Sequence, residues 1–461
     1  MKNIYILTEE KPKISTIKQL FQIYRNDFDG KFTINEDLKI IPNIDGDVFK
    51  FSYELIGITL NEINKVIIKI VSGSSSFMDF LFFISDEEPN EDLDIPPLFA
   101  VEETKTSDDE SRNTGVYQRC SKFVFIEAFY HNVPKYMLYN DELELREEKK
   151  PSDTSIFGTN MLLTNNVKIV GKPINKWFSR FLTIDDLIEF KDKMKRPPES
   201  NTPILIKKYD DYITISGRLD KPQNINKISH DPNIGCLSII ALTLRKLGWN
   251  KDIIIVSHHI SQEYINHTKG HNKFLYICKI LNIKMEGLTL PLNYQIPNLY
   301  WHYEKSSEKV ASILFHLQTE NLGFFEVYQN HAGCERGYFK TKEGKLITLP
   351  KKTPSGNNLL IPDVIMRDDA NKTIYLMEGK KLSTLQDGLK EINDYDDIEK
   401  LYIEKYFPEY VVKRYLTIFG GYADRLPDEK VLLYVRSDGK ILINEKESNI
   451  YSNFLSLTFV K

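Results

Sequence analysis

Cysteine is scarce in this sequence: there are four among 461 residues, and their spacing matches neither a metal-binding nor a disulfide pattern. That argues against a disulfide-stabilised secreted scaffold and predicts a cytoplasmic protein whose thiols are small core side chains. These thiols belong to Cys120, Cys236, Cys278 and Cys334. No apolar run reaches the roughly 18 residues of a membrane helix. The N-terminal segment MKNIYILTEEKPK has no signal-peptide pattern, so we expect no membrane association.

An excess of basic charge is also missing, since the formal net charge is −4. This does not exclude a nucleic-acid partner, because a binding surface is a local feature and several acids could be metal ligands. The sequence contains no G-x-x-x-x-G-K-[ST] loop and no dinucleotide-binding glycine pattern, so we expect no use of ATP or of a dinucleotide.

The sequence has the length and composition of a large globular protein. At 461 residues and 53.8 kDa, with 41% hydrophobic and 27% charged residues, it predicts two or three domains. Apolar strands alternate with amphipathic helices, so we predict an α/β fold, or a mixed α+β one. The predicted boundaries are 1–165, a middle region at 166–310, and 311–461.

One order of predicted elements occurs twice. In the C-terminal third, a helix at 306–323 and strands at 323–329 and 345–350 precede a hairpin at 359–381, a helix at 382–407 and a strand at 413–421. The N-terminal third repeats this order. Its elements are a helix at 60–73, a hairpin formed by 74–85 and 96–105, a helix at 114–131 and a strand at 135–140. The polar segment 85–97 is predicted to be the loop of that hairpin, and 191–203 to be a linker.

The C-terminal hairpin carries a group of charged side chains. Glu378 and Lys380 lie two residues apart on a strand and project to the same face. Asp363 lies on the facing strand, about 4.8 Å away, beside Glu378. Two neighbouring carboxylates repel unless a cation offsets their charge, and oxygen ligands of this kind suit Mg²⁺. The neighbouring lysine can orient or deprotonate a water and stabilise negative charge on a phosphate.

The N-terminal hairpin carries a similar set, Asp79 with Glu103 and Lys105. Alternation along the strand predicts that Glu102 points away from Asp79, unless a bulge turns it toward the site. An acid and a lysine two residues apart also occur at Glu343–Lys345, in a polar setting. The alternative interpretation of either hairpin is therefore an amphipathic strand pair with a surface ion pair.

The order helix, strand, strand with Asp, strand with Glu-x-Lys, helix, strand resembles the PD-(D/E)xK nuclease superfamily, best known from type II restriction endonucleases. The resemblance covers about 50–165 and 311–425. It implies two domains, each with a mixed central sheet flanked by helices. It further implies metal-ligand roles for Asp363, Glu378, Asp79 and Glu103, and catalytic lysines at Lys380 and Lys105. Members of the superfamily often add an acid from the first core helix, for which Glu62 and Glu320 are candidates.

Two polar segments contain residue types found in metal or nucleophile sites but lack the partners that such sites need. The stretch 257–273 holds His258, His259, His267 and His271, but a zinc or His-Asn-His site would need further ligands at regular spacing. The segment 329–339 contains His331, Cys334, Glu335 and Arg336 without an orienting partner for a Cys-His pair. We interpret both as turns, with DNA or phosphate contact as the functional alternative. In the middle region, candidates for reading bases are Arg218, Asp220, Lys269, Asn272 and Lys273.

The sequence thus predicts a Mg²⁺-dependent, sequence-specific double-strand DNA endonuclease that works without ATP, with a DNA methyltransferase as its genetic partner. Two sites in one chain would allow one site per strand. One intact site and a decayed copy, acting as a homodimer on a palindrome, is the alternative arrangement. A structure-specific repair or recombination nuclease and a non-catalytic DNA-binding protein are the alternative functions.

Overall fold

The computed structural model describes residues 2–444 apart from 74–75, 92–94, 105–114, 140–150, 172–175, 195–203, 222–225, 230, 258, 269–272, 291–297, 306 and 330–337. The first elements are β1 (Lys2–Thr8), α1 (Ile14–Phe28), β2 (Phe32–Asp45), β3 (Val48–Leu60), β4 (Ile63–Gly73), β5 (Phe80–Ser85), β6 (Phe99–Thr104), α2 (Gly115–Phe129), β7 (Lys135–Tyr139), α3 (Asp153–Thr164) and β8 (Val167–Val170). The central elements are α4 (Ile184–Lys193), β9 (Leu205–Lys208), β10 (Tyr212–Ser216), α5 (Asp231–Lys246), β11 (Asp252–Val256), α6 (Gln262–His267), α7 (Lys273–Ile280), β12 (Ile283–Met285) and β13 (Trp301–Tyr303).

The remaining elements are α8 (Lys309–Asn321), β14 (Phe325–Gln329), β15 (Tyr338–Lys340), β16 (Leu346–Thr348), β17 (Val364–Asp368), β18 (Thr373–Lys381), a 3₁₀ turn (Leu382–Thr384), α9 (Leu385–Asn393), α10 (Asp396–Ile398), a π-helical stretch (Glu399–Ile403), α11 (Glu404–Tyr406), β19 (Val411–Phe419), β20 (Val431–Val435) and β21 (Ile441–Ile443). The fold is mixed α/β, with several mixed sheets flanked by helices, which confirms the predicted fold class.

The chain forms two compact units. The first comprises the described residues of Met1–Ile4, Glu10–Val71 and Tyr303–Lys461, and the second those of Tyr5–Glu9 and Ser72–His302. These units differ from the predicted boundaries, because the N-terminal strands belong with the C-terminal third. The Asn321 side chain donates to the backbone oxygen of Ile40 at 2.8 Å, and the Phe49 N–H donates to Gly439 O at 2.8 Å. Such long-range contacts cannot be read from chain order.

The first unit contains a six-stranded sheet in the order β14-β17-β18-β19-β20-β21. β17 and β18 are antiparallel, whereas β18, β19 and β20 run parallel. β18 is central, and its residues from Thr373 to Gly379 are buried, as expected for a strand covered on both faces. The predicted C-terminal hairpin, the helix before it and the strand after it are confirmed. The predicted strand at 345–350 instead pairs, as β16, with β15 outside this sheet.

The second unit repeats the strand–helix order of the first. β5 pairs antiparallel with β6, β6 pairs parallel with β7, and β7 pairs parallel with β8.

The prediction of a helix at 60–73 is wrong, because this segment forms β4. Its Ile and Val residues are β-branched and favour a strand.

The described residues of 166–302, most of the predicted middle region, belong to the second unit, and those of 303–310 belong to the first. The middle region contains a four-stranded sheet in the order β12-β11-β10-β9. Helix α5 packs on α2, and the two backbones lie very close together at Gly235. A Cβ at Gly235 would lie 1.6 Å from the backbone oxygen of Tyr117, so only glycine permits this approach. In the predicted linker at 191–203, residues 191–193 are the end of α4. Residues 195–203 lie outside the described part of the chain.

Candidate active site in the β17–β18 hairpin

Backbone hydrogen bonds join the two carboxylates of the C-terminal hairpin. Val364 pairs with Met377, so Asp363 precedes β17 at the level of Glu378. The Asp363 N–H donates to Glu378 Oε2 at 3.2 Å, and the Gly379 N–H donates to Asp363 Oδ2 at 3.1 Å. The register of the hairpin therefore fixes both acids, as predicted.

Lys380 lies beside Glu378 on the same strand. Its Nζ donates to Glu378 Oε1 at 2.6 Å and lies 2.5 Å from Glu391 Oε2 of α9. Burial opposes the charge, but hydrogen bonds to Glu378 and Glu391 raise the pKa of Lys380 above its ordinary value. Gly388 allows α9 to lie against this side chain, since a Cβ there would be 2.6 Å from Lys380 Cγ. Lys380 is therefore a fixed cation.

Tyr395, which follows α9, completes the environment of Glu378. Its hydroxyl donates to Glu378 Oε2 at 2.6 Å, and the ring is buried. Burial and the charge of Asp363 raise the pKa of Glu378, while the bonds from Lys380 and Tyr395 oppose this shift. Burial and Asp363 likewise raise the pKa of Tyr328 to about 12. Negative charge is thus concentrated around Asp363 and Glu378.

The carboxylates of this hairpin fit Mg²⁺. Two acids from facing strands supply the oxygen ligands that this ion prefers. Burial raises the pKa of Glu378, and the charge of Asp363 raises it further. A bound cation would offset the repulsion between these two carboxylates. Asp363 and Glu378 are therefore the residues that would hold the metal.

The second hairpin has the same two backbone hydrogen bonds, but its strand acid lies one residue earlier than predicted. The Asp79 N–H donates to Glu102 Oε2 at 3.3 Å, and the Glu103 N–H donates to Asp79 Oδ2 at 2.7 Å. Glu102 is thus the equivalent of Glu378, and Glu103 takes the place of Gly379. The prediction that Glu102 points away from Asp79 is wrong, because Phe80 pairs with Val101 and brings Glu102 opposite Asp79.

The structure brings the backbone of Glu103, rather than its carboxylate, to Asp79. Lys105 lies outside the described residues, and buried Thr104 stands at the position equivalent to Lys380. Among the described residues, an ammonium group near these acids comes from α2. Lys122 Nζ donates to Asp79 Oδ1 and to Glu102 Oε2, at 2.8 Å in each case. Sequence reasoning missed Lys122, although a lysine on a largely apolar helix directly after the hairpin was a usable signal.

The charges of this second centre are unevenly distributed. Burial and the neighbouring Asp79 raise the pKa of Glu102 to about 8. Burial would also raise the pKa of Asp79, but Lys122 lowers it below its ordinary value. Arg119 Nε lies 3.6 Å from Glu102 Oε1 and donates to the backbone oxygen of Glu103 at 3.0 Å.

The two candidate acids from a core helix lie elsewhere. Glu62 is in the turn between β3 and β4, with a φ of 63°. Glu320 is on α8 and pairs with buried Lys11, and His316 Nε2 lies 2.9 Å from Glu326 Oε2. His316, Glu320 and Glu326 could hold a metal ion, but Lys11 already offsets their negative charge. We interpret them as a partly buried ion-pair network.

The other predicted residues are only partly described. Arg218 donates to Asp220 Oδ1 at 2.6 Å, and Asp220 is fully buried, so this pair fixes the loop after β10. Lys273 begins α7. Several predicted residues lie outside the described part of the chain: Lys269, Asn272, His258, His271, His331, Cys334, Glu335 and Arg336. Of the cysteines, Cys120, Cys236 and Cys278 are buried free thiols, as predicted.

No family model, curated protein or solved structure matches this chain. None of the helices that the structure describes is long and apolar enough to cross a membrane. The geometry of the two hairpins is therefore the basis for a functional proposal.

Proposed function

We propose that this protein is a Mg²⁺-dependent endonuclease that cuts double-stranded DNA at specific sequences, in the manner of type II restriction enzymes. One observation carries the proposal: Asp363, Glu378 and Lys380 converge at the start of the β17–β18 hairpin, and backbone N–H groups hold the two acids. Hydrolysis of a phosphodiester needs this combination of oxygen ligands and a fixed cation.

The metal and the lysine have separate tasks in this proposal. When bound by Asp363 and Glu378, Mg²⁺ would supply Lewis-acid stabilisation of charge on the phosphate. The Lys380 ammonium group, which donates to Glu378 Oε1 at 2.6 Å, would stabilise the negative charge that develops on the phosphate oxygens. Tyr395 and Glu391 position Glu378 and Lys380 through the hydrogen bond and the ion pair they make.

The overall reaction is hydrolysis of one P–O ester bond. The oxygen of a water molecule attacks phosphorus, the bond to the leaving oxygen breaks, and a proton reaches that oxygen. Preorganised charge of this kind acts where charge develops, so it lowers the barrier rather than only improving binding.

The direct test is digestion of a mapped plasmid by the full chain. We expect discrete fragments with Mg²⁺ and no ATP, and no cutting in excess EDTA. Cutting that persists in EDTA would contradict the metal requirement. A continuous smear in place of bands would contradict sequence recognition and favour a structure-specific or non-specific nuclease. DNA binding without any cleavage would favour the non-catalytic alternative.

A further inference from the structure

The two hairpin centres share their backbone geometry but differ in where the positive charge stands. Lys122 Nζ contacts one oxygen of Asp79 and one of Glu102, both at 2.8 Å. It therefore bridges the pair of acids from two facing strands. In the other centre, Lys380 contacts Glu378 and Glu391, so its bridge runs from β18 to α9.

A second cation adds to the difference. Glu102 faces both Lys122 and Arg119, which lie three residues apart on α2 and project from the same side of the helix. Glu102 is thus in contact with two positive groups. Lys380, by contrast, divides its charge between two carboxylates.

The Lys122 ammonium group stands where a divalent cation would have to bind. A metal ion that joins two carboxylates must approach an oxygen of each, and these are the atoms that Lys122 already engages. Entry of the ion would bring like charges together beside a buried carboxylate, since Glu102 is 1% exposed. The residues present at this centre therefore do not fit Mg²⁺.

We propose that Lys122 is a built-in substitute for the divalent cation at Asp79 and Glu102, so that this hairpin is a latent metal site that opens only when the lysine is removed. In the native chain it holds α2 against the β5–β6 hairpin. The proposal rests on the proposed function in one respect: it makes the Asp363 and Glu378 pair the single metal centre of the hairpins. Each chain would then cut one strand per catalytic event, as in the arrangement with one intact site.

The test counts Mn²⁺ sites on the full-length protein, by titration followed by electron paramagnetic resonance. Mn²⁺ serves as the probe because it shares the oxygen-ligand preference of Mg²⁺. We expect Glu102→Gln to leave the number of bound ions unchanged and Glu378→Gln to lower it by one. Lys122→Met, which keeps an unbranched side chain without the charge, should raise it by one. The added site should disappear in the double variant Lys122→Met/Glu102→Gln.

Two results would overturn the proposal. One is the loss of a Mn²⁺ site in Glu102→Gln, which shows that the centre binds metal with Lys122 in place. The other is a folded Lys122→Met protein that gains no site. If Lys122→Met does not fold, the loss of a Mn²⁺ site in Glu102→Gln would still overturn the proposal. A native chain that binds no Mn²⁺, beside a Lys122→Met variant that gains a site, would refute the proposed nuclease function and support the role of Lys122.

Discussion

The tripeptide Glu-Gly-Lys occurs twice in the first unit, in opposite environments. In Glu378-Gly379-Lys380 it lies on a buried central strand next to Asp363. In Glu343-Gly344-Lys345 it forms the exposed turn between β15 and β16, where Gly344 has a φ of 81°. The same three residue types thus supply a candidate active-site lysine in one place and a solvated side chain in the other.

This pair of lysines gives a matched prediction. Lys380→Ala should lower the rate of DNA cleavage by about 10²–10³-fold, the usual cost of removing one group that stabilises transition-state charge. DNA binding should stay close to that of the native protein, since the effect arises in the transition state. Lys345→Ala is the control and should cut normally. Equal losses in single-turnover cleavage assays would show that the hairpin context carries no catalytic information.

Glu102 makes a prediction about pH and stability. Its pKa in the folded protein is about 8, whereas an unfolded chain releases this proton near pH ~4.3. The folded state therefore holds the proton more tightly, and this contribution to stability is complete below about pH 4.3 and declines as pH rises toward 8. Glu102→Gln keeps the neutral shape, so its melting temperature should rise relative to the native protein as pH increases from 5 to 8.

Thermal unfolding across that pH range measures the difference. Glu103→Gln is the control, because Glu103 contacts Asp79 through its backbone N–H. A difference in melting temperature between native protein and Glu102→Gln that does not change with pH would contradict the assignment of the proton to Glu102.

At the scale of elements, the hairpin with Asp363 was predictable because the register and the apolar strand are local features. Gly379 lies between Glu378 and Lys380 on that strand, and Ser312 of α8 packs so close to it that a Cβ there would meet the Ser312 hydroxyl. The contacts of Glu391, Tyr395 and Arg119 depend on how helices pack on the sheet, so no local pattern contained them. Lys122 had one local signal, its place on a largely apolar helix directly after the hairpin. The motif Glu-x-Lys selected Glu103 and Lys105, whereas the strand register selects Glu102.

The packing of α8 on β18 gives a prediction about stability. A Cβ at Gly379 would lie 2.1 Å from Ser312 Oγ, so Gly379→Ala should destabilise the protein by about 1–3 kcal/mol. In the double variant Gly379→Ala/Ser312→Ala the nearest Ser312 atom is the Cβ at 3.5 Å, an ordinary contact. The double variant should therefore be more stable than Gly379→Ala alone.

Denaturant unfolding of the two single variants and the double variant forms the required cycle. Ser312→Ala alone should cost about 1 kcal/mol or less, because it removes the hydrogen bond between Ser312 and Thr417. If the losses of stability in the two single variants simply add up in the double variant, the Ser312 hydroxyl is not what excludes a side chain at Gly379.

At the scale of the whole molecule, chain order was a poor guide to the compact units. The two repeats of strand and helix were visible in the sequence, but the assignment of 10–71 to the same unit as the C-terminal third was not. Contacts such as Ile441 N–H to Asp47 O, at 2.8 Å, join residues almost 400 positions apart. Pairings of that separation leave no signal in a single sequence.

Cleavage of a supercoiled plasmid by two matched variants tests most directly the claim that the Asp363 and Glu378 centre hydrolyses DNA. Glu378→Gln and Glu102→Gln make the same substitution at equivalent positions of the two hairpins. With Mg²⁺, we predict that Glu378→Gln still binds DNA but leaves the plasmid supercoiled, whereas Glu102→Gln cuts both strands at the native positions. Nicks on opposite strands from the two variants would establish two active centres. Native cutting by Glu378→Gln would contradict the central claim.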